Sequence, residues 1–231
     1  MAPVVKRDRR GVAWAATGVV WAFLFFAGPD QVFSNTFIHR RPDRSAAPDS
    51  LFQYVAEHHG AIGALLIALT VANILFVLFA AYLAYRLAPT ARPRWLPTAV
   101  VVVAALVSVS FWYADLATAL IWFAAPGSDP AGYRWISPSL DRVALASGPV
   151  LGAYVGLVAY LLGRNQILPG WVRWFSWAVA VLAAVVGAVV IATTKAGPGG
   201  PLAFVAVLLW AAITSGAAIW SARHPRIPAP A

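Results

Sequence analysis

The sequence predicts an all-α fold: an integral membrane bundle of about six transmembrane helices. Three observations carry this expectation. Hydrophobic residues make up 61% of the chain and charged residues 11%, where a soluble domain holds about half and about a quarter. Apolar runs at residues 11–28, 61–87, 97–124, 143–163, 171–193 and 201–222 each match the roughly 20 residues a helix needs to cross the hydrocarbon core. Lipid offers backbone groups no partner, so each run must satisfy its own hydrogen bonds, and the alternating pattern of barrel strands is missing. The runs use most of the 231 residues, which leaves a single transmembrane domain spanning 1–231.

The elements follow in order. The first run comes after Lys6-Arg7-Asp8-Arg9-Arg10 and lacks a small-x-small cleavage site before Gly28-Pro29, so it reads as a retained helix rather than a signal peptide. In the loop 29–60, Pro48, Ser50 and Gln53 give a capping-box pattern. Leu51, Tyr54, Val55 and His58 share one helical face, which suggests a short helix on the outer membrane surface that turns at Gly60. In the loop 125–142, Pro126-Gly127 and Asp129-Pro130 are turn signals, and Ser137-Pro138 starts the fourth helix early. That helix carries Gly148, Gly152 and Gly156, a stripe that lets backbones approach, with Pro149 expected to kink or end the regular helix there. The fifth and sixth runs are uninterrupted.

Tryptophans mark the boundaries. Trp14, Trp95, Trp171, Trp174 and Trp220 fall at inner ends of their runs and Trp122 at an outer end, as an aromatic belt requires. Trp21, Trp112 and Trp210 sit well inside their runs, where bundle packing is expected. The two halves of the chain show no inverted repeat of the kind many transporters carry.

Charge sets the orientation. With the N-terminus inside, the inner segments hold Lys6, Arg7, Arg9, Arg10, Arg86, Arg92, Arg94, Arg164, Arg173, Arg223 and Arg226, eleven of the 17 basic residues. Six of the 8 acids fall outside. Both termini are therefore expected in the cytoplasm. The net charge of +9 lies in short loops between apolar runs and forms no basic module with interleaved aromatics, which argues against nucleic acid as a partner. Arginine far outnumbers lysine, and with abundant Ala and Val this fits a high-GC bacterial genome and an inner-membrane location.

Several chemistries drop out. Without cysteine there is no disulfide, thiolate metal site, iron–sulfur cluster or thiol nucleophile. No phosphate loop, nucleophile elbow, dinucleotide fingerprint or haem-suited histidine pair is present. Glu57, His58 and His59 cluster at the outer mouth of the second run, but consecutive residues point about 100° apart and seldom share a metal. They read as interfacial polar groups, or as a gate to the interior with Glu57 touching substrate. No cofactor and no metal is expected.

Asp115 is the ionisable residue inside a run. It lies roughly 13 Å below the outer end of the third run at 1.5 Å per residue, where a carboxylate costs on the order of 2.5–3.5 kcal/mol. Ser108, Phe111, Trp112, Thr118, Ala119 and Trp122 lie on or beside its face. Asn73, with Thr70 one turn earlier, is the expected partner on the second run. A structural hydrogen bond between two helices competes with a functional acid as the reason for this pair.

The stretch 157–181, LVAYLLGRNQILPGWVRWFSWAVAV, resembles a recurrent element of uncharacterised six-helix bacterial membrane families. A helix there ends in Gly-basic, followed by a short loop with Pro and Trp and then the next helix. The matching residues are Gly163, Arg164, Pro169, Trp171 and Trp174, and the resemblance implies the six-helix architecture without an activity. In site type alone, an acid among aromatics, the chain is similar to small membrane-bound terpene cyclases, none of whose motifs it matches.

Three functions fit. One is a membrane enzyme acting on an apolar, isoprenoid- or lipid-like substrate, with Asp115 as general acid or base and Asn73, Ser108, Phe111, Trp112, Thr118, Trp122 and Glu57 around the substrate. Another is a small proton-coupled transporter titrating Asp115. The third is an accessory subunit of a membrane complex, or a homodimer, in which the polar contacts are only structural. The lipid bilayer is a partner in all three. Reporter fusions at Arg94 and Arg164 are expected to read cytoplasmic and those at Asp43 and Asp129 external; inversion at all four would reverse the orientation.

Overall fold

The computed structural model describes residues 9–27, 48–124, 136–164, 168–193 and 199–223. Its helices are α1 (Arg9–Ala27), α2 (Pro48–Glu57), α3 (His59–Leu87), α4 (Leu96–Ala124), α5 (Ile136–Arg164), α6 (Gly170–Thr193) and α7 (Gly199–Arg223), with a 3-10 turn at Ala88–Thr90. Among the described residues there is no strand. Three segments are long and apolar enough to cross a membrane: His59–Leu87, Gly170–Thr193 and Ala203–Arg223. In α4 the apolar stretch is Leu96–Trp112.

Local sequence explains the boundaries. The α3 segment is rich in Ala, Leu and Ile, with its last glycine in the first turns; it tightens into the 3-10 turn at Ala88–Thr90, where Pro89 supplies no N–H to continue the ladder, and the chain becomes extended at Ala91. Between α2 and α3 the break falls at His58, not at Gly60, which is already inside α3. His58 Nδ1 lies 3.0 Å from the Tyr54 carbonyl oxygen, and its ring centre is 4.5 Å from that of Tyr54. The histidine thus closes the last turn of α2 itself. Gln53 Nε2 donates forward to Glu57 Oε1 at 2.9 Å; the Ser50 side chain lies outside the described residues.

The long helices form a closed ring. Each packs against its neighbours in chain order, α1 on α3, α3 on α4, α4 on α5, α5 on α6 and α6 on α7, and α7 returns to α1. The short α2 touches α3 and α4. Outward-facing positions such as Ile67, Val102, Leu106, Val181 and Leu209 are exposed. A water-soluble bundle would present polar residues there, so this apolar perimeter suits a bilayer. Trp14, Trp95, Trp171, Trp174 and Trp220 are exposed on the same perimeter.

The α5–α6 seam is the closest. A Cβ on Gly152 would stand 2.8 Å from the Ala180 carbonyl oxygen and 2.9 Å from Ala184 N, and one on Gly148 would stand 2.8 Å from Gly187 Cα. At Gly156 the nearest atoms are 3.7 Å away, an ordinary contact. Two of the three stripe glycines therefore set the helix spacing. Their counterparts are Ala180, Ala183, Ala184 and Gly187. The helix continues through Pro149, whose ring is seated against Gly187, where a Cβ would find it 2.5 Å away. A second close approach puts Gly18 of α1 against Phe79 of α3 and Ser215 of α7.

Aromatic rings fill the centre. Trp21, Phe76, Phe79, Tyr154 and Trp210 are all fully buried. Ring centres lie 4.6 Å apart for Trp21–Phe76, 5.1 Å for Phe76–Tyr154 and 5.6 Å for Tyr154–Trp210, the last pair perpendicular. The two contacts of Tyr154 are edge-on, and contacts of that kind add to simple burial. The series joins α1, α3, α5 and α7. It is tied to α6 by one polar relay: Trp210 Nε1 donates to Ser176 Oγ at 2.8 Å, and Ser176 Oγ donates to the Val172 carbonyl at 2.7 Å. Trp21 and Trp210 pack inside the bundle as their mid-run positions predict. Trp112 does not: it is 46% exposed on the perimeter, because its phase on α4 points away from both neighbours.

Two outcomes follow from this packing. Gly152→Leu is expected to lower the thermal stability of the detergent-solubilised protein, by about 1–3 kcal/mol or more for overpacking a tight seam, while Gly156→Ala is tolerated. An unchanged melting curve for Gly152→Leu would mean that the seam opens easily. In a double-mutant cycle, Ser176→Ala and Trp210→Phe are expected to couple by about 0.6–1.7 kcal/mol, the range of interhelical hydrogen bonds in membranes. Strict additivity would show that the relay contributes no stability.

Candidate functional site

Register between α3 and α4 decides what can meet Asp115. Ser108 Oγ donates to the Asn73 carbonyl oxygen at 3.4 Å, and both residues are buried. Asn73 is thus level with Ser108. Asp115 lies seven residues further along α4, about 10 Å of helical rise. The depth match expected between Asn73 and Asp115 is therefore replaced by one between Asn73 and Ser108. Thr70 turns back on its own helix, its hydroxyl donating to the Leu66 carbonyl at 2.9 Å.

The backbone of Asp115 is helical, but its side chain, with those of Thr118 and Trp122, lies outside the described residues. Among the described residues the buried polar side chains are Asn73, Ser108, Ser147, Ser176, Thr214 and Ser215; a buried aspartate is not among them. Helical phase still locates the position. At 100° per residue, position 115 falls about 20° from Ser108 and about 60° from Trp112. One is buried and the other exposed. Ser108 lies between position 115 and Trp112, so position 115 falls on the arc between half-buried Phe111, about 40° away, and buried Ser108, toward the interior face of α4.

Phe111 is half-buried in an aromatic group on the interior side. Its ring centre is 5.3 Å from Phe25 of α1 and 6.4 Å from Phe204 of α7, and Phe25 and Phe204 are 5.9 Å apart. On the outer side, Trp112 and Phe123 are exposed, Phe123 to 74%. Ser108, Phe111 and Trp112 thus line the two turns of α4 that precede the position: a buried hydroxyl, a packed ring and an exposed ring. Glu57 is exposed at the end of α2 and paired with Gln53. Glu57 and the histidines form no metal-ligating group of three among the described residues.

A small cavity of about 10 Å³ lies elsewhere, among Tyr82, Arg86, Leu87, Leu162, Leu168 and Ala218. That is room for about one water. Its lining brings together the last turns of α3, α5 and α7, the end of the bundle remote from Asp115.

Sequence reading passed over the Ser176–Trp210 relay and Tyr154. A lone serine two turns into an apolar helix, facing a span with a mid-run tryptophan, was the available signal. Searches against protein-family models, curated proteins and solved structures find no match to this chain.

Proposed function

We propose that the chain is a six-span protein of a bacterial plasma membrane, with both termini in the cytoplasm. In this proposal it is an intramembrane enzyme that acts on an apolar, isoprenoid- or lipid-like substrate through Asp115. The apolar perimeter and the three span-length helices support embedding in a bilayer. The excess of arginine at one set of helix ends supports the orientation.

The observation that supports the enzymatic reading is the phase of position 115 on α4, between half-buried Phe111 and buried Ser108, with the exposed ring of Trp112 next beyond Ser108. An acid there would belong to the packed wall of the bundle, one step in phase behind the exposed ring of Trp112. An apolar substrate would enter sideways past Trp112 and Phe123 and lie against these rings. Aromatic faces stabilise a developing cation, and a carboxyl beside them can give or take the proton that creates or quenches it. A transport route along the bundle axis is less favoured, because Trp21, Phe76, Tyr154 and Trp210 fill that axis at mid-depth.

Asp115→Asn separates the functional acid from a structural one. The amide has the same size and still hydrogen-bonds, but it does not exchange a proton near neutral pH. The variant is expected to fold and reach the membrane like the parent, yet to fail to restore growth or the lipid profile of a strain lacking the protein. Full restoration by a folded Asp115→Asn protein would leave only a structural role.

A further inference from the structure

The α5–α6 seam carries a second arrangement at the end away from Gly148. A Cβ on Gly163 would lie 3.3 Å from Arg173 Cδ and 3.7 Å from Arg173 Nη1. The missing side chain thus lets the α6 arginine lie across α5, one residue from Arg164. Arg164 Nη2 donates to the Tyr160 hydroxyl at 3.2 Å, and its Cζ is 5.6 Å from that ring centre. Arg173 Cζ stands 4.9 Å over the Trp174 ring. Aromatic contacts of this kind hold a guanidinium in place without neutralising it.

Neither arginine forms an ion pair among the described residues. Two guanidinium groups held at the same end of this seam repel each other, and an anion between them would relieve that repulsion. Phosphate oxygens suit a pair of guanidinium forks. The surroundings select the form of that phosphate. From Arg173 the same face of α6 continues at four-residue spacing through Trp177, Val181 and Val185, all exposed. Trp177 also lies beside Gly156, 3.7 Å from where a Cβ would stand. The stripe runs from charge through an indole to aliphatic carbon, the polarity profile of a phospholipid.

We propose that this seam binds an anionic phospholipid, with Arg164 and Arg173 on the phosphodiester and Trp174 and Trp177 against the glycerol region. The acyl chain then follows Val181 and Val185. The site requires the chain to sit in a bilayer but is independent of any role for Asp115.

The test uses the full chain purified in phosphatidylcholine-containing micelles and titrated with dioleoyl-phosphatidylglycerol or dioleoyl-phosphatidylcholine, read by native mass spectrometry and thermal unfolding. The phosphatidylglycerol is expected to bind about tenfold more tightly, as two juxtamembrane arginines allow. Arg164→Gln/Arg173→Gln is expected to abolish that preference without changing unfolding in phosphatidylcholine alone, and Arg164→Lys/Arg173→Lys to keep part of it. If the glutamine pair folds poorly, each single glutamine variant is expected to lose about threefold. Arg92→Gln/Arg94→Gln, at the α3–α4 connection of the same bundle end, is expected to keep the full preference. A glutamine pair that retains the preference, or an Arg92/Arg94 control that loses as much, would overturn the site. Stabilisation by inorganic phosphate equal to that by the lipid would overturn the lipid as its occupant.

Discussion

Close approach of backbones is the constraint on which this bundle depends. Its outer face carries many large apolar side chains, so within a bilayer little is gained by moving a side chain from lipid to the neighbouring helix. What remains is contact: dispersion between well-fitted surfaces, and hydrogen bonds with no water to replace them. Both demand short distances. Gly148 and Gly152 supply them on α5, Gly187 and its alanines on α6, and Gly18 at the meeting of α1, α3 and α7. Once these backbones are close, the rings of Trp21, Phe76, Tyr154 and Trp210 are brought within touching range at the centre.

That centre has a consequence for access. The aromatic series crosses the bundle from α1 to α7, and the Ser176 relay fixes the orientation of the last indole. In the proposed reading an apolar substrate therefore comes from the membrane plane, past the exposed ring of Trp112 on α4, while the proposed lipid site at Gly163 lies toward the far end. Chemistry and lipid attachment would then occupy different ends of one wall of the ring.

The helical character was plain in the sequence because hydropathy integrates over whole runs and tolerates local error. The glycine stripe of α5 was legible for the same reason, since its period is regular. Its partner surface was not, because Ala180, Ala183 and Ala184 are hidden in an alanine-rich helix where every face looks small. Trp112 and Trp210 look alike in sequence, both mid-run, yet one faces outward and one inward. That choice depends on the rotation of each helix against its neighbours, and periodicity within one helix does not fix it. The Asn73 register was recoverable in principle. Counting from the short connection at residues 88–95, Asn73 and Ser108 stand at nearly equal distances, and counting from the outer ends at His59 and Ala124 gives nearly the same pairing.

Closure of the ring by α1 and α7 imposes an order on biogenesis. Of these helices α1 is made well before α7, so it acquires one of its two walls only after α7 has emerged. Until then Gly18 lacks Ser215, and one flank of α1 is bare. A nascent chain must therefore keep α1 against α3 while α4, α5, α6 and α7 are made, with an unfinished edge. The contact of α7 with α1 then acts as the latch of the ring.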